Sequence, residues 1–305
     1  MQKIEGLIAA PFAPMFNDGS VNYDSIDDYS DFLVKNHITG AFINGSTGEG
    51  VSLTLKEKQL LTEKWIRAAK GTPMKVINLV GGTSYNECIE HALHSQKAGI
   101  DAIAILAPYY FKPASAGQLA EFCAKIAETV PSMPVYFYHI PILTGCHVPM
   151  FDFLKAAGPM IPNLAGIKYT HEDFMDFLSC LQFDNGKYDM LWGRDENLLS
   201  ALALGCRGGV GSTYNYAAPL YYGIIEAFEK GDLVTARKLQ LQSIDMIRLL
   251  GKYGGIATGK AYMKYIGFDF GGFRSPIQNM SPEVYHHFRA DVQALDMEKW
   301  FSKQE

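Results

Sequence analysis

A lysine at the end of an apolar segment is the residue of this sequence best placed to do chemistry. Lys168 directly follows the apolar residues 164–167. In a water-poor position the charged ammonium is disfavoured, its pKa falls, and the free amine can attack a ketone to form an imine. The alternative is a lysine whose aliphatic stem lies along the protein while its ammonium reaches solvent. Lys168 is therefore a candidate nucleophile.

Two further groups of polar residues also follow apolar segments. Residues 44–50 read Asn-Gly-Ser-Thr-Gly-Glu-Gly, where glycines let backbone amides converge and the hydroxyls of Ser46 and Thr47 add donors. Such a loop suits a carboxylate or phosphate, although an ordinary glycine-rich turn with a helix cap has the same composition. Tyr138 lies near a strand end closed by Pro141. Its phenol could transfer a proton, or it could simply pack.

The elements that must position these groups follow a regular pattern. Short apolar segments rich in β-branched and aromatic residues alternate with segments of helical periodicity, as in repeated βα units. The predicted strands are residues 6–15, 40–44, 75–80, 101–107, 134–138, 164–169, 189–192 and 208–212. Eight such strands predict a (β/α)₈ TIM barrel with the three polar groups at corresponding strand ends. An open doubly wound sheet stays an alternative.

Helical periodicity occurs both between these strands and after them. Examples between the strands are residues 23–37, 54–70, 84–99 and 197–205. Strand signals stop after residue 215, and helical patterns follow in residues 220–255 and 282–301. We therefore divide the chain into a catalytic barrel, residues 1–225, and a C-terminal helical extension, residues 226–305.

Composition narrows the class of partner. The 305 residues are 48% hydrophobic, carry a formal net charge of −5 and contain no run of basic residues. This charge pattern argues against nucleic acid or an anionic membrane surface and favours a small-molecule substrate. The apolar stretch in residues 1–16 is shorter than the ~20 residues of a membrane helix, so we expect a cytoplasmic protein.

The cysteines and histidines indicate neither a disulfide framework nor a metal site. The five cysteines are odd in number and contain no CxxC pair. We expect them to be reduced and mostly buried. His91 and His94 lie on a helical pattern, and we predict that both are solvated, with no third metal ligand.

Several motifs together resemble those of a known enzyme family. They are GSTGE at 45–49, PYY at 108–110, YxxP at 138–141, GIKYT at 166–170 and GGVGST at 208–213. In this order and spacing the chain resembles the pyruvate-dependent class I aldolases that include N-acetylneuraminate lyases and dihydrodipicolinate synthases. The resemblance covers essentially the whole chain. It implies a homotetrameric barrel enzyme that needs no metal or organic cofactor.

The resemblance assigns a role to each matching residue. It implies that Lys168 forms a Schiff base with the C2 ketone, that Tyr138 transfers the proton, and that Ser46 and Thr47 hold the substrate carboxylate. Tyr110 resembles a tyrosine that reaches the site of a neighbouring subunit. The further substrate contacts implied are Thr170, Gly193, Asp195, Glu196 and Ser212.

The residues that set the substrate resemble the lyase branch. Synthases have an arginine for a second carboxylate shortly after YxxP, whereas Leu143 lies in this stretch, which has no basic residue. The resemblance therefore implies reversible cleavage of N-acetylneuraminate, a sialic acid, to N-acetylmannosamine and pyruvate. His139, where asparagine is common, and Arg194, inside the sugar segment, depart from the pattern. The alternatives are a related lyase or synthase for another 2-keto acid, including 2-keto-3-deoxy sugar acids and the dihydrodipicolinate reaction, and a non-catalytic sensor.

Two of these residues have simpler interpretations. Asp195 precedes an apolar periodic segment and could only cap the helix that follows. The glycine-rich residues 208–213 could instead hold a phosphate, which barrels often bind after strands seven and eight.

Overall fold

The computed structural model describes residues 3–304, and its central feature is a closed barrel of eight parallel strands in chain order. The strands are β1 Gly6–Ala9, β2 Gly40–Ile43, β3 Lys75–Leu79, β4 Ala102–Leu106, β5 Val135–His139, β6 Leu164–Tyr169, β7 Asp189–Trp192 and β8 Gly208–Gly211. Pairing of β1 with β8 closes the sheet. The predicted (β/α)₈ barrel is confirmed, and the open doubly wound sheet is wrong.

The first strand is the one whose predicted extent is wrong. Residues 6–15 were expected to be extended, but β1 ends at Ala9, the last residue in register with both β2 and β8. Pro11 and Pro14 follow, and proline cannot donate a backbone hydrogen bond to a sheet. The remaining segment forms the rim of the barrel instead, with the amide of Met15 donating to Phe270 O at 2.9 Å.

Twelve α-helices lie within residues 3–304. They are α1 Ser25–Lys35, α2 Leu55–Ala69, α3 Tyr85–Ala98, α4 Ala116–Ala127, α5 Pro141–Thr144, α6 Met150–Met160, α7 Phe174–Gln182, α8 Leu198–Ala203, α9 Tyr214–Glu229, α10 Leu233–Lys252, α11 Ala257–Tyr265 and α12 Pro282–Ala294. Thr54 and Glu57 form a reciprocal capping box at α2. None of these helices is long and apolar enough to cross a membrane. The division of the chain at residue 225 stays a prediction, and α9 spans that position.

The strands separate two apolar layers. Residues of one parity, such as Phe42, Tyr136 and Leu191, fill the barrel interior. Their neighbours along the strands, such as Ile43 and Phe137, pack outward against the helices. Because side chains alternate between the two faces of a strand, this division determines which polar residues face the interior.

Candidate active site

Lys168 lies inside the barrel, on the sixth strand. It is in register with Tyr138 on β5, so the two side chains lie on adjacent strands and face the same interior. Lys168 is 4% exposed, and its Nζ lies 3.9 Å from the ring centroid of Phe42 and 4.1 Å from that of Tyr138. It forms no hydrogen bond or ion pair with any of residues 3–304. The alternative of an ammonium that reaches solvent is therefore wrong.

This position changes the protonation of the amine. Burial lowers the pKa of Lys168 to about 7, and the negative charge of Asp195 opposes that shift without cancelling it. A substantial fraction of the lysine is therefore a free amine near neutral pH. A free amine among aromatic rings can attack a carbonyl carbon.

The Tyr138 phenol is also buried, and its ring packs edge-on against Phe42 with centroids 5.4 Å apart. Burial raises the pKa of Tyr138, while the nearby hydroxyls of Ser46 and Thr170 act in the opposite direction. The phenol therefore stays protonated at neutral pH. Thr170 Oγ1 is itself buried and has no hydrogen-bond partner among residues 3–304. It is an available polar contact beside the phenol.

The loop after β2 presents amides toward the same end of the barrel. The amide of Gly50 donates to Gly45 O at 3.1 Å and that of Glu49 to Ser46 O at 3.2 Å, which closes the loop on itself. Within residues 3–304 the amides of Ser46 and Thr47 donate no hydrogen bond, so both are available to an anion.

The loop is not the helix cap considered as its simpler interpretation. Helix α2 is capped by Thr54, several residues further along the chain, through its reciprocal contact with Glu57. The hydroxyls of Ser46 and Thr47 take no part in that cap. The geometry of the loop therefore suits a carboxylate.

Asp195 belongs to the wall of this site. It is buried, and its Oδ2 accepts hydrogen bonds from Thr213 N at 2.9 Å and Thr213 Oγ1 at 2.6 Å. Burial raises the pKa of Asp195 to about 6, against the effect of these hydrogen bonds. The interpretation of Asp195 as a helix cap is wrong, because α8 begins after Asn197 and the carboxylate contacts the end of β8 instead.

Glycines make room for these polar groups. A Cβ on Gly211 would lie 2.0 Å from Asp195 Oδ1, and one on Gly193 would lie 2.0 Å from Thr170 Oγ1. Both positions therefore exclude a side chain. The phosphate interpretation of residues 208–213 is not supported, because the amide of Thr213 already donates to a carboxylate.

The remaining predicted contacts lie outside the buried cluster around Lys168. Glu196 is partly exposed and forms an ion pair with Arg194 at 2.8 Å. Ser212 is half-buried directly after β8. Tyr110 and Leu143 are 76% and 63% exposed and take no part in the buried cluster of this chain.

The prediction for one histidine is wrong. His91 is fully buried, its Nε2 lies 3.0 Å from Asn78 Nδ2, and burial lowers its pKa to about 3. Asn78 in turn accepts a hydrogen bond from Asn44, the first residue of the loop 44–50 after β2, at 2.7 Å. His91 is buried because it lies on the face of α3 that packs against the rest of the protein. Through Asn78 it helps to support the loop that follows β2.

Sequence reasoning missed three residues that shape the site. Phe42 gave no chemical signal, although alternation along β2 could have placed it inside the barrel. Arg194 was noted only as a departure, not as the partner of Glu196. Lys260 lies on α11, between the two helical segments predicted for the extension, and went unnoticed. No group of three or more His, Cys, Asp or Glu able to hold a metal ion occurs in residues 3–304.

A closed barrel with a buried, unpaired lysine at the end of β6 defines a class of enzyme that can bind a carbonyl compound through an imine. Similarity to known proteins supports the same class of enzyme. Residues 3–295 match the dihydrodipicolinate synthetase family model, and the chain belongs to this family.

The relatives of this chain point to one branch of the family. It is 36% identical over 299 residues to the N-acetylneuraminate lyase of Rattus norvegicus, covering 97% of this chain and 93% of that protein. It is 38% identical over 298 residues to that of Gallus gallus, covering 96% and 97%. The structure of Proteus mirabilis N-acetylneuraminate lyase superimposes with a TM-score of 0.94 at 39% identity, covering 97% and 99%. The resemblance inferred from the sequence is confirmed.

Proposed function

We propose that this protein is a Schiff-base-forming aldolase that reversibly cleaves N-acetylneuraminate to N-acetylmannosamine and pyruvate. The observation that carries the proposal is Lys168, buried without a polar partner and in register with Tyr138. The relatives named N-acetylneuraminate lyase, at 36% to 39% identity over nearly the whole chain, favour this substrate within the family.

The reaction begins at the amine. Neutral Lys168 Nζ attacks the C2 ketone of the open-chain sugar acid, and loss of water leaves a protonated imine. The lowered pKa of Lys168 supplies the neutral amine near pH 7. The imine then withdraws electrons from the C3–C4 bond, which is the bond to be broken.

Proton transfer at the C4 hydroxyl completes the cleavage. Because burial keeps the Tyr138 phenol protonated, Tyr138 must pass its own proton on in order to act as a base. It accepts the C4 hydroxyl proton while its phenolic proton passes to the substrate carboxylate. The C3–C4 bond breaks, N-acetylmannosamine leaves with C4 as its aldehyde carbon, and an enamine of pyruvate stays on Lys168. Protonation at C3 and hydrolysis release pyruvate and restore the amine. The protein needs no metal or organic cofactor for these steps.

The two ends of the substrate bind to different walls of the site. The carboxylate lies on the free amides and hydroxyls of Ser46 and Thr47, within reach of Thr170 Oγ1. The hydroxyl tail lies toward the residues that follow β7 and β8. The residues that contact it are Gly193, Asp195, Glu196 and Ser212.

The proposed assembly is a homotetramer in the cytoplasm. Tyr110 and the adjacent Phe111 are 76% and 85% exposed, which leaves a large aromatic pair on the surface that a second subunit would cover. Tyr110 then contributes to the neighbouring site. All five cysteines are free and buried, which fits a reducing compartment.

Pyruvate release by the purified protein tests the substrate. We expect release from N-acetylneuraminate with a higher kcat/KM than from a 2-keto-3-deoxy sugar acid. We expect little condensation of pyruvate with aspartate semialdehyde, because residues 140–145, which include Leu143, contain no basic residue to pair with a second carboxylate. A preference for the semialdehyde would refute the sialic-acid assignment and leave the imine chemistry intact.

A further inference from the structure

A buried ion pair joins the loop after β2 to the C-terminal helices. Lys260 Nζ on α11 lies 3.0 Å from Glu49 Oε1, with the two side chains 3% and 4% exposed. The other polar atoms of the pair are also engaged. Lys260 Nζ donates to Gly272 O at 2.7 Å, and Glu49 Oε2 accepts from the amide of Arg274 at 2.7 Å. Both carboxylate oxygens and two of the three ammonium donors therefore have partners.

The loop joined in this way has an unfavourable backbone. Asn44 and Glu49, near its two ends, both have φ of 56°, in the left-handed region that L residues rarely adopt. Such conformations persist only where the surrounding structure imposes them. A Cβ on Gly50 would lie 1.9 Å from Asn44 O, so the two ends of the loop also touch. Contacts outside the loop must hold this geometry.

Each end of the loop has its own buried anchor. Asn44 donates to Asn78 Oδ1 in the layer between the sheet and the surrounding helices, and Glu49 binds Lys260 in the extension. Ser46 and Thr47, whose amides are free, lie between the two anchors. A loop held at one end alone could turn these amides away from the anion.

We propose that Glu49 and Lys260 are positioning residues that hold the amides of Ser46 and Thr47 toward the substrate carboxylate. The inference rests on the proposed function in one respect, namely that these amides bind that carboxylate. It gives the helical extension a part in catalysis, because Lys260 belongs to α11 and not to the barrel.

The test must separate positioning from stability. Removal of one partner leaves the other charge buried and unpaired, which destabilises the fold whatever its role. The double variant Glu49→Gln with Lys260→Met removes both charges and keeps side chains of similar size. The matched control is Asp269→Asn with Lys264→Met. Lys264 lies on the same helix α11, Asp269 follows that helix, and the two side chains are 2.7 Å apart and about half exposed.

The measurement is imine formation at Lys168, trapped by borohydride, with pyruvate and with pyruvamide. Pyruvamide keeps the ketone and replaces the carboxylate with a neutral amide. We expect the half-saturating pyruvate concentration to rise roughly ten- to a hundredfold in the double variant, as small displacements of binding groups can do. The half-saturating pyruvamide concentration and the plateau of trapped protein should be unchanged, and the control double variant should behave like wild type.

Two outcomes would overturn the proposal. One is an unchanged half-saturation for pyruvate in a folded double variant; the other is an equal shift for pyruvate and pyruvamide, which would indicate general distortion. If the double variant does not fold, Glu49→Gln alone is compared in the same way. An unchanged ratio of the half-saturating concentrations of pyruvate and pyruvamide then refutes the proposal. Failure of the proposed imine chemistry differs from both, because the wild type would then trap no pyruvate. Failure of the sialic-acid assignment alone would leave the trapping of pyruvate by the wild type intact.

Discussion

Lys168 and Lys260 are each 4% exposed, and their surroundings are opposite. Lys260 contacts the carboxylate of Glu49 and the carbonyl of Gly272, so its charge is compensated. Lys168 lies over the rings of Phe42 and Tyr138 and has no hydrogen bond or ion pair with residues 3–304. Burial lowers the pKa of both amines, and at Lys260 the carboxylate in direct contact opposes part of that shift.

The difference shows that burial alone does not make a lysine reactive. A paired ammonium keeps its proton and acts as a structural cation, whereas an unpaired one loses its proton at moderate pH and becomes a nucleophile. In this chain the unpaired Lys168 lies at the catalytic end of a barrel strand, and the paired Lys260 lies in a helix behind the loop that follows β2.

The largest expected effect is an opposite change in stability when each lysine is replaced by methionine. Lys260→Met leaves Glu49 buried without its counter-charge and should lower the free energy of unfolding by about 3–5 kcal/mol. Lys168 has a folded-state pKa of about 7, below its ordinary 10.5, so protonation weakens the fold most below pH 7 and the penalty disappears as pH rises toward 10.5. Lys168→Met should therefore be at least as stable as wild type at pH 6.

Denaturant unfolding at pH 6 and pH 9 measures both variants, with circular dichroism as the readout. Lys168→Met should gain more over wild type at pH 6 than at pH 9. Equal losses in the two variants would show that the two lysines have equivalent environments, contrary to the comparison.

A smaller effect is expected at the phenol. Tyr138→Phe should lower kcat for N-acetylneuraminate by ~10²-fold or more, because positioned acid–base groups contribute that much. Imine formation with pyruvate should persist, since Lys168 keeps its apolar surroundings. Near-normal turnover of the variant would mean that Tyr138 is only a packing residue.

The charge of Asp195 should control the pH at which Lys168 loses its proton. The charge of Asp195 raises the pKa of Lys168, so Asp195→Asn should lower that pKa further. The acidic limb of the trapping rate, expected near pH 7 in wild type, should move to lower pH. Glu196→Gln is the control, because Glu196 has no direct influence on Lys168. A limb that moves upward, or moves equally in both variants, would contradict this coupling.

The smallest effect is expected at Leu143. Because Leu143 lies in the stretch where synthases have an arginine, Leu143→Arg should weaken use of N-acetylneuraminate and favour partners with a second carboxylate. Leu143 is 63% exposed, so solvent screens the new charge and the change in specificity should be worth less than about 1 kcal/mol. The ratio of kcat/KM for the two substrates measures it. A change of several orders of magnitude would show that the side chain enters a desolvated site.

The sequence predicted the barrel and the residues that meet inside it because both depend on local patterns. Alternating strand and helix signals predicted eight strands, the number at which a parallel sheet can close, and the strand ends located Lys168 and Tyr138. The interior face of β2 was predictable in the same way, but an apolar Phe42 carries no chemical signal.

Contacts between distant parts of the chain were not predictable. Glu49 and Lys260 are 211 residues apart, and His91 is buried because α3 packs against the sheet. The contact of Asp195 with Thr213 depends on the space left by Gly211, and only the closed barrel brings these residues together. Local periodicity predicts elements, whereas these pairs depend on how the elements pack.

Mass spectrometry after borohydride reduction with pyruvate tests the contrast between the two lysines most directly. Reduction converts an imine into a stable amine, so the added pyruvyl mass marks the lysine that reacted. We predict a single adduct on the peptide containing Lys168, none on the peptide containing Lys260, and loss of activity in proportion to labelling. An adduct on another lysine, or full labelling with activity retained, would contradict the account.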